Sequence, residues 1–261
     1  MFAHANDIGE FLNKFRFLFR CLLTQTIIGE LALLAVILQA RIDSSRLKSK
    51  SLLPLGGKPL VFRVMEALRR VPADIRILAC PQDAVSCFAP LAAEAGFEIF
   101  AGPKEDVLKR YCLVIRRFGV TRFIRATGDN PFVFADAAAV INKEAAALNA
   151  DYSGYSGLPL GAGVESVCAG ALLRADEAVY GNVSDFEREH VCPYLYSRPE
   201  LFRLHRPLAP LYWQDNAQQP VRLTVDTQED YERANLLYAG LENSEKRYEG
   251  QEIIKRYREI S

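Results

Sequence analysis

The chain has 261 residues, and its 32 lysines and arginines are balanced by 32 aspartates and glutamates, so the formal net charge is zero. A chain without excess positive charge has no overall basic surface for a nucleic-acid backbone, which argues against non-specific DNA or RNA binding. Hydrophobic residues make up 50% of the chain and charged residues 25%, as in globular proteins rather than disordered or fibrous ones. At roughly 150 residues per domain, this length fits one large domain or two small ones.

Six cysteines are scattered along the chain, with no CxxC pair and no histidine at metal-ligand spacing. This distribution favours neither a zinc site nor a disulfide framework. We therefore expect a reducing, cytoplasmic location.

The N-terminal segment is apolar but is interrupted by charged side chains, so it lacks the ~18 to 20 uncharged residues of a membrane-spanning helix. We expect no membrane span. Residues 1–32 are interpreted as a helical extension that packs on the protein or stabilises a dimer, with binding to a membrane surface as the less favoured alternative. The apolar stripe of this extension is formed by Phe11, Phe15, Leu18 and Leu22.

Short apolar runs alternate with stretches of helical spacing along the rest of the chain. Alternation of this kind predicts an α/β fold with a mostly parallel sheet covered by helices on both faces. The runs predicted as strands are 33–38, 75–80, 97–100, 122–126 and 221–225.

Residues 33–261 are predicted to form a single α/β domain. Its helices are expected from Pro59 to Arg70, over 104–118 and over 227–241, the last opened by a weak capping box of Thr227 and Asp230. The stretch 151–220 is less regular, and we expect it to form a substrate-side lobe that also serves dimerisation.

A basic segment follows the first predicted strand. Its ten residues, 41–50, carry four cationic side chains and the single acid Asp43, which gives a net charge of +3. The forked hydrogen-bond donors of arginine, the compact positive charge of lysine and the hydroxyl groups of serine together suit the binding of a triphosphate. The segment contains neither a P-loop nor a dinucleotide-binding fingerprint, and a solvated basic loop is the alternative.

Two aspartates stand directly after predicted strands. Asp129 follows 122–126 and Asp226 follows 221–225. Because ligands of open α/β sheets bind outside the carboxyl ends of the strands, we expect both carboxylates in one crevice beside the basic segment. Carboxylates provide hard oxygen ligands for Mg²⁺, so this set suits a Mg²⁺-nucleotide. Taken alone, Asp129 could instead cap a turn and Asp226 could belong to a helix start.

Five motifs occur in order along the chain: AVILQAR at 35–41 with the following basic segment and LGGKPL at 55–60, EDVLKRY at 105–111, TGDNP at 127–131, REHVCPY at 188–194, and LTVDTQED at 223–230. Together they resemble the sugar cytidylyltransferases that make CMP-activated sugars. The branch of spore coat polysaccharide biosynthesis protein F, related to the CMP-sialic acid and CMP-KDO synthetases, is the most similar. The resemblance covers roughly 33–241, and five ordered motifs are more specific than any one.

The resemblance implies a three-layer, Rossmann-like fold of the nucleotide-diphospho-sugar transferase type with a mostly parallel mixed sheet. It implies transfer of a CMP group from CTP to a small-molecule sugar, such as a sugar acid, for surface polysaccharide or glycan biosynthesis, with release of pyrophosphate. Mg²⁺ is the implied cofactor, and a homodimer is the implied assembly.

By position, the resemblance also assigns site residues. The catalytic residues would be Arg46, Lys50, Asp129 and Asp226, of which Asp129 and Asp226 would hold the metal. The nucleotide-binding residues would be Gln39, Ala40, Arg41, Ser44, Ser45, Arg46, Lys50, Asp106 and Asp129. The sugar-binding residues would be Glu165, Arg188 and His190. An ion pair for Arg188 and helix packing for His190 are the alternatives.

The sequence departs from the family pattern at three places. Asp43 stands where a Gly is usual, Lys48-Ser49 replaces a Pro-Gly pair, and Gly163 replaces an Asp. A carboxylate at position 43 would repel phosphate unless it points away or helps to hold the metal. Two alternatives therefore stay open: the same chemistry with a different nucleoside triphosphate, and a non-catalytic homologue that binds nucleotide sugars.

Overall fold

The fold is described by a computed structural model that covers residues 32–44, 46–177, 182–215 and 220–260. Nearly all of the predicted extension 1–32 lies outside these residues, and so does Ser45. Residues 33–261 form one compact unit.

Seven strands form a mixed sheet in the order β5-β4-β1-β6-β8-β7-β9. Strands β5, β4, β1 and β6 are parallel to one another, while β8 is antiparallel to β6 and to β7. The strands are β1 (Leu34–Gln39), β4 (Ile75–Pro81), β5 (Glu98–Gly102), β6 (Arg122–Thr127), β7 (Tyr152–Ser153), β8 (Glu165–Cys168) and β9 (Leu204–His205), and a separate hairpin consists of β2 (Pro54–Leu55) and β3 (Lys58–Pro59).

Helices cover both faces of the sheet, because the central strand β1 is apolar on both sides. Val36 and Leu38 pack into a core with α1, α2, α4, α8 and α9, and Ala35 and Ile37 into a second core with α3, α5 and α7. The helices are α1 (Leu60–Leu68), α2 (Val85–Ala95), α3 (Val107–Phe118), α4 (Ala135–Ala147), α5 (Ala169–Asp176), α6 (Asp185–His190), α7 (Pro193–Tyr196), α8 (Gln228–Leu241) and α9 (Gly250–Ile260). The predicted three-layer α/β fold is confirmed. Within the described residues, no helix is long and apolar enough to cross a membrane.

The strand order places a crevice at the carboxyl ends of β1 and β6. From β1 the chain moves outward through β4 and β5, then returns to form β6 on the other side of β1. The connections after β1 and β6 therefore diverge to opposite sides, and a groove opens between them. The basic segment follows β1 and Asp129 follows β6, so both predicted features lie at this crevice.

The predicted strand 221–225 is wrong as a strand of the sheet. The segment is extended and its alternate residues are buried, but Leu223 N donates to Leu160 O and Val225 N to Asp129 O. Neither acceptor lies in a strand, so no ladder forms. The alternation of apolar residues reports burial against the core here, not pairing with a neighbouring strand.

The helix predictions hold with shifted ends. Helix α1 begins at Leu60, one residue after Pro59, and α3 begins at Val107 because Asp106 acts as its N-cap. The capping box predicted at the start of α8 is present, with the Thr227 side chain accepting from the amide of Asp230.

We expect Gly128→Ala to destabilise the protein by about 1–3 kcal/mol, because the added methyl group overpacks the junction between β1 and β6. A Cβ at Gly128 would lie 2.9 Å from Ala40 Cβ and 3.2 Å from Gln39 O. Equilibrium unfolding in urea measures the change. The matched control is Gly170→Ala in α5, where the nearest atom lies 3.8 Å away. It should be neutral or stabilising by up to about 1 kcal/mol, and equal stability of the two variants would contradict this account.

Candidate active site

The ammonium group of Lys50 lies between two carboxylates from distant parts of the chain. Lys50 Nζ donates to Asp129 Oδ2 at 2.9 Å and to Asp226 Oδ1 at 2.8 Å. All three side chains are largely buried. Two carboxylates this close repel each other, and the cation between them offsets this repulsion. The structure thus brings these three predicted residues together at the carboxyl edge of the sheet.

The main chain fixes the separation of the two carboxylates. Thr127 Oγ1 donates to Asp129 Oδ1 at 2.6 Å, and Asn130 Nδ2 donates to Thr127 Oγ1 at 2.9 Å, so the turn after β6 orients the first carboxylate. Val225 N donates to Asp129 O at 2.9 Å. This bond ties the residue before Asp226 directly to the turn that carries Asp129.

A hydrogen bond closes the loop 41–50 at the point where it enters the short 3-10 helix Lys50–Leu52. Ser51 Oγ donates to Arg41 O at 2.9 Å. Ser49 adopts the left-handed region, with φ of 51°, which turns the chain into the 3-10 helix. A non-glycine residue rarely adopts this conformation, and doing so costs on the order of 1–2 kcal/mol. The closed loop directs Lys50 inward, toward the carboxylates.

Asp226 is surrounded by cations. Arg46 Nη2 lies 2.9 Å from Asp226 Oδ1, and Arg222 Nη2 lies 3.1 Å from Asp226 Oδ2. Arg222 also donates to Asp230 Oδ1 at 2.8 Å, which links this cluster to the start of α8. The Arg46 side chain is 64% exposed, whereas that of Lys50 is 13% exposed. Arg46 is therefore free to turn toward a ligand, while Lys50 is held by the carboxylates.

The Asp129 carboxyl is ionised at neutral pH. Burial by itself would raise its pKa, because a charged group loses hydration in the protein. The charge of Lys50 and the hydrogen bonds from Thr127 and Lys50 outweigh burial, and the pKa of Asp129 lies below its ordinary value of 3.8.

A divalent cation fits the position that the Lys50 ammonium takes between Asp129 and Asp226. The ammonium is a stand-in cation there, and the carboxylate oxygens that it contacts are hard ligands of the kind that Mg²⁺ prefers. In the described ranges, no group of three or more acidic, histidine or cysteine side chains could hold a metal. Two carboxylates suit Mg²⁺ nonetheless, because this ion keeps water and phosphate oxygens among its ligands.

The end of β1 contributes one buried and one partly buried residue to the crevice. Ala40 is buried against Gly128, whose lack of a side chain permits the contact. Gln39 Oε1 accepts from Arg125 Nε at 3.1 Å, so the oxygen of the Gln39 amide faces the neighbouring strand β6.

The remaining predicted phosphate-loop residues are more exposed. The Arg41 side chain is 61% exposed, and its Nη1 lies 3.8 Å from Glu189 Oε1 in α6. Ser44 is partly exposed, and Ser45 lies outside the described residues. Arg41 is therefore available to a bound anion at small cost.

Glu165 is already occupied by protein groups. It forms a close ion pair with Arg125 and accepts a hydrogen bond from the Tyr152 hydroxyl at 2.9 Å. Burial and the Glu165 charge hold the pKa of Tyr152 well above its usual range, so the phenol stays protonated and donates. The contact between Glu165 and a sugar stays a prediction.

Arg188 and His190 lie on α6 beside the crevice. Arg188 Nη1 lies 2.8 Å from Asp106 Oδ2, while Asp106 Oδ1 accepts from Lys109 N at 2.9 Å as the N-cap of α3. The His190 ring is exposed and packs on Phe186, with 4.4 Å between ring centroids. In this structure Arg188 thus forms the ion pair considered as its alternative role, whereas His190 makes an exposed aromatic contact within its own helix.

Asp43 and Gly163, two of the residues that depart from the family pattern, occupy different environments. Asp43 Oδ2 lies 2.7 Å from Lys104 Nζ, so this carboxylate faces Lys104 rather than Asp129 and Asp226. The hydrogen bond from Lys104 lowers the pKa of Asp43. Gly163 is exposed, and a side chain there would contact only Leu158 Cδ1, at 3.4 Å.

Sequence reasoning missed three charged residues of this region. Arg125 stands in a predicted buried strand, where an arginine without an evident partner is itself a signal of a buried ion pair. Arg222 stands four residues before Asp226, in a segment that the sequence indicates as a strand. No local pattern identifies Lys104, because its partners lie on other loops.

The chain belongs to the cytidylyltransferase family, whose model matches residues 35–254. Spore coat polysaccharide biosynthesis protein SpsF of Bacillus subtilis is 33% identical over 209 residues, which are 77% of this chain and 85% of that protein. The sequence-based prediction of a sugar cytidylyltransferase relative of this branch is confirmed at the level of the family.

Solved structures share the fold. A cytidylyltransferase from Leptospira borgpetersenii matches with a TM-score of 0.79 at 20% identity, over 88% of this chain and 95% of that chain. A CMP-KDO synthetase complexed with CTP matches with a TM-score of 0.61 at 14% identity, over 80% and 99%. A Mycobacterium tuberculosis protein in complex with manganese matches with a TM-score of 0.51 at 18% identity, over 78% and 98%.

We expect Lys50→Met to destabilise the protein by about 1–3 kcal/mol at pH 7, since it leaves the largely buried Asp129 carboxylate without its cation, while Asp226 keeps its contacts with Arg46 and Arg222. The lowered pKa of Asp129 provides stability above its unfolded value near 3.8, and this stability is lost as the pH falls through the folded pKa. The difference in the free energy of unfolding between the variant and the wild type should therefore become smaller below about pH 4.

Urea unfolding at successive pH values measures this difference. Lys246→Met, which removes an exposed ion pair with Glu249, is the control and should change stability by at most about 0.5 kcal/mol at any pH. A stability difference between Lys50→Met and the wild type that grows in acid would contradict the role of Lys50 as the cation that stabilises ionised Asp129.

Proposed function

We propose that the protein transfers the CMP group of CTP to a sugar hydroxyl and releases pyrophosphate, and that the product serves surface polysaccharide or glycan synthesis. Family membership and the similarity to SpsF support this reaction class. The observation that carries the proposal is the convergence of Asp129, Asp226, Lys50 and Arg46 at the carboxyl ends of the strands.

The basic loop would hold the triphosphate. Arg41 and Arg46 are the exposed cations of the site, and Ser44 and Ser45 would add hydroxyl and amide donors. Gln39 and Ala40, at the end of β1, would lie against the nucleoside. Asp106 would contact the nucleotide only if its pairing with Arg188 loosens.

Asp129 and Asp226 would hold Mg²⁺. When bound, the ion would neutralise phosphate charge and polarise the phosphoryl group. The Mycobacterium tuberculosis structure with manganese supports a divalent metal in a protein of this fold. Since the Lys50 ammonium already takes the place between the carboxylates, metal binding would displace it toward the phosphates that it is proposed to contact.

The reaction would form a bond between the sugar hydroxyl oxygen and the α-phosphorus, and would break the bond from the α-phosphorus to the bridging oxygen of the β-phosphate. Negative charge grows on the departing pyrophosphate. Arg46 and Lys50 would stabilise this charge more strongly in the transition state than in the ground state, which accelerates the step. The proton of the hydroxyl leaves with the attack, and we assign no general base to it.

The sugar would bind between the crevice and the lobe 151–220. Glu165, Arg188 and His190 remain the proposed sugar contacts, of which His190 is exposed and Glu165 acts as part of its pair with Arg125.

A homodimer through this lobe is proposed because Leu208, 65% exposed, and Leu211, 85% exposed, lie on it. A cytoplasmic location is proposed from the cysteine pattern alone.

A second candidate function is a non-catalytic protein that binds nucleotide sugars. Gly163 favours it, because the exposed space beside Leu158 lacks the carboxylate usual in the family. Transfer from a different nucleoside triphosphate is the other alternative, since loop residues rather than the fold select the base.

We expect CTP with Mg²⁺ to stabilise the protein against heat more than UTP, ATP or GTP. A ligand that binds only the native state adds about 2.7 kcal/mol of stability at about 100 times its Kd. Thermal unfolding with each nucleotide, with and without Mg²⁺, measures this without any acceptor sugar. Selective stabilisation by another nucleotide would change the proposed donor. The absence of any shift would favour a site that opens only after the sugar binds, or a protein with no nucleotide site.

We expect Asp226→Asn to lower the rate of CMP-sugar formation at least about 100-fold, because it removes a charged metal ligand and the partner of Lys50. Pyrophosphate release during a screen of acceptor sugars measures the rate. Asp74→Asn is the matched control, since Asp74 Oδ2 accepts from Leu34 N at the opposite end of β1. It should leave turnover unchanged, and undiminished turnover of Asp226→Asn would refute the metal role.

A further inference from the structure

Lys104 joins three loops at the rim of the crevice. Its ammonium lies 2.7 Å from Asp43 Oδ2 and 3.3 Å from Asp83 Oδ2. Asp43 belongs to the loop after β1, Asp83 to the turn after β4, and Lys104 to the loop after β5. One side chain thus connects neighbouring loops on three adjacent strands, at the edge of the sheet where the proposed triphosphate would bind.

The base of Lys104 is firmly held. Arg110 is buried, and its Nη1 donates at 2.7 Å to the carbonyl oxygen of Pro103, the residue before Lys104. Gly102 leaves room for this arginine, since a Cβ there would lie 2.7 Å from Arg110 Cγ. On the other side, Asp106 caps α3 and pairs with Arg188. The main chain on both sides of Lys104 is therefore anchored, which places its ammonium near the rim beside Asp43 and Asp83.

Asp43 is the one acid in the loop 41–50, and its carboxylate is 56% exposed. Two cations of that loop contact other acids, because Lys50 pairs with Asp129 and Asp226 while Arg46 pairs with Asp226. Without Lys104, the exposed Asp43 carboxylate would lose its ion-pair partner and would repel a polyphosphate that the basic side chains of the loop attract. Like charges facing each other weaken binding strongly.

We propose that Lys104 is a positioning residue for the phosphate loop: it neutralises Asp43 and ties the loop to its neighbours, so that a polyphosphate meets a basic surface. This inference rests on the proposed nucleotide function of the same site. It also explains how a carboxylate at position 43 is compatible with phosphate binding.

The contribution of Lys104 is to ligand binding rather than to folding. An ion pair this exposed adds little to the stability of a protein. A bound triphosphate, in contrast, carries several negative charges close to the loop, and its affinity responds to each charge that faces it. Lys104→Ala should therefore fold normally and bind CTP weakly.

Calorimetric titration of the full chain with CTP and Mg²⁺ tests the proposal on four variants. Lys104→Ala should raise the Kd for CTP about tenfold at low salt, and less at high salt, where the repulsion from Asp43 is screened. Adding Asp43→Asn to Lys104→Ala should return the Kd to within about threefold of the wild type, because the repelling charge is gone. Lys104→Arg should bind like the wild type, and Lys246→Ala, in an exposed pair with Glu249, is the control.

The outcomes separate this inference from the proposed function. Lys104→Ala with wild-type affinity, or a double variant as weak as Lys104→Ala, overturns the role of Lys104 while CTP binding stands. A wild type that does not bind CTP refutes the proposed nucleotide, and inorganic tripolyphosphate then replaces CTP as the probe with the same expected order of variants. Failure of the wild type to bind either probe refutes both proposals.

Discussion

The double contact of the Lys50 ammonium with Asp129 and Asp226 is the interaction on which the rest of the site depends. It joins residues 79 and 176 positions away from Lys50 in the sequence. The parallel strands β1 and β6 bring the loop after β1 and the turn after β6 to one edge, and the Val225 amide adds Asp226 to that turn. Without the cation, two mostly buried carboxylates would repel each other.

A second buried charge pair joins the central strands of the sheet. Arg125 on β6 pairs with Glu165 on β8 and donates to Gln39 on β1, so one arginine spans three strands. Breaking a buried pair leaves an uncompensated charge, which is costly, so such a pair fixes the side chains around it. The sheet and its loops thus hold two compensated clusters, Lys50 with its acids and Arg125 with Glu165.

Much of this arrangement could be predicted from the sequence, and the missing parts share a cause. The apolar runs around β1 and β6 predicted the parallel sheet, and the basic segment after β1 together with Asp129 after β6 predicted the crevice, because these signals are local. The segment 221–225 has the alternation of a strand, yet its hydrogen-bond acceptors lie in loops that no periodicity reveals. Lys104 and Arg222 were missed for the same reason: an ion pair between loops depends on the tertiary fold, and neither residue type nor spacing encodes it.

The bond from Val225 N to Asp129 O also bears on how the crevice can move. Because a main-chain hydrogen bond links the segments that carry the two acids, these acids are held in place together with the sheet. Lys50 and Arg46 belong to the loop 41–50, whose contacts with these acids are made by side chains. A displacement of this loop would therefore separate the cations from the acids, while the two acids would keep their spacing.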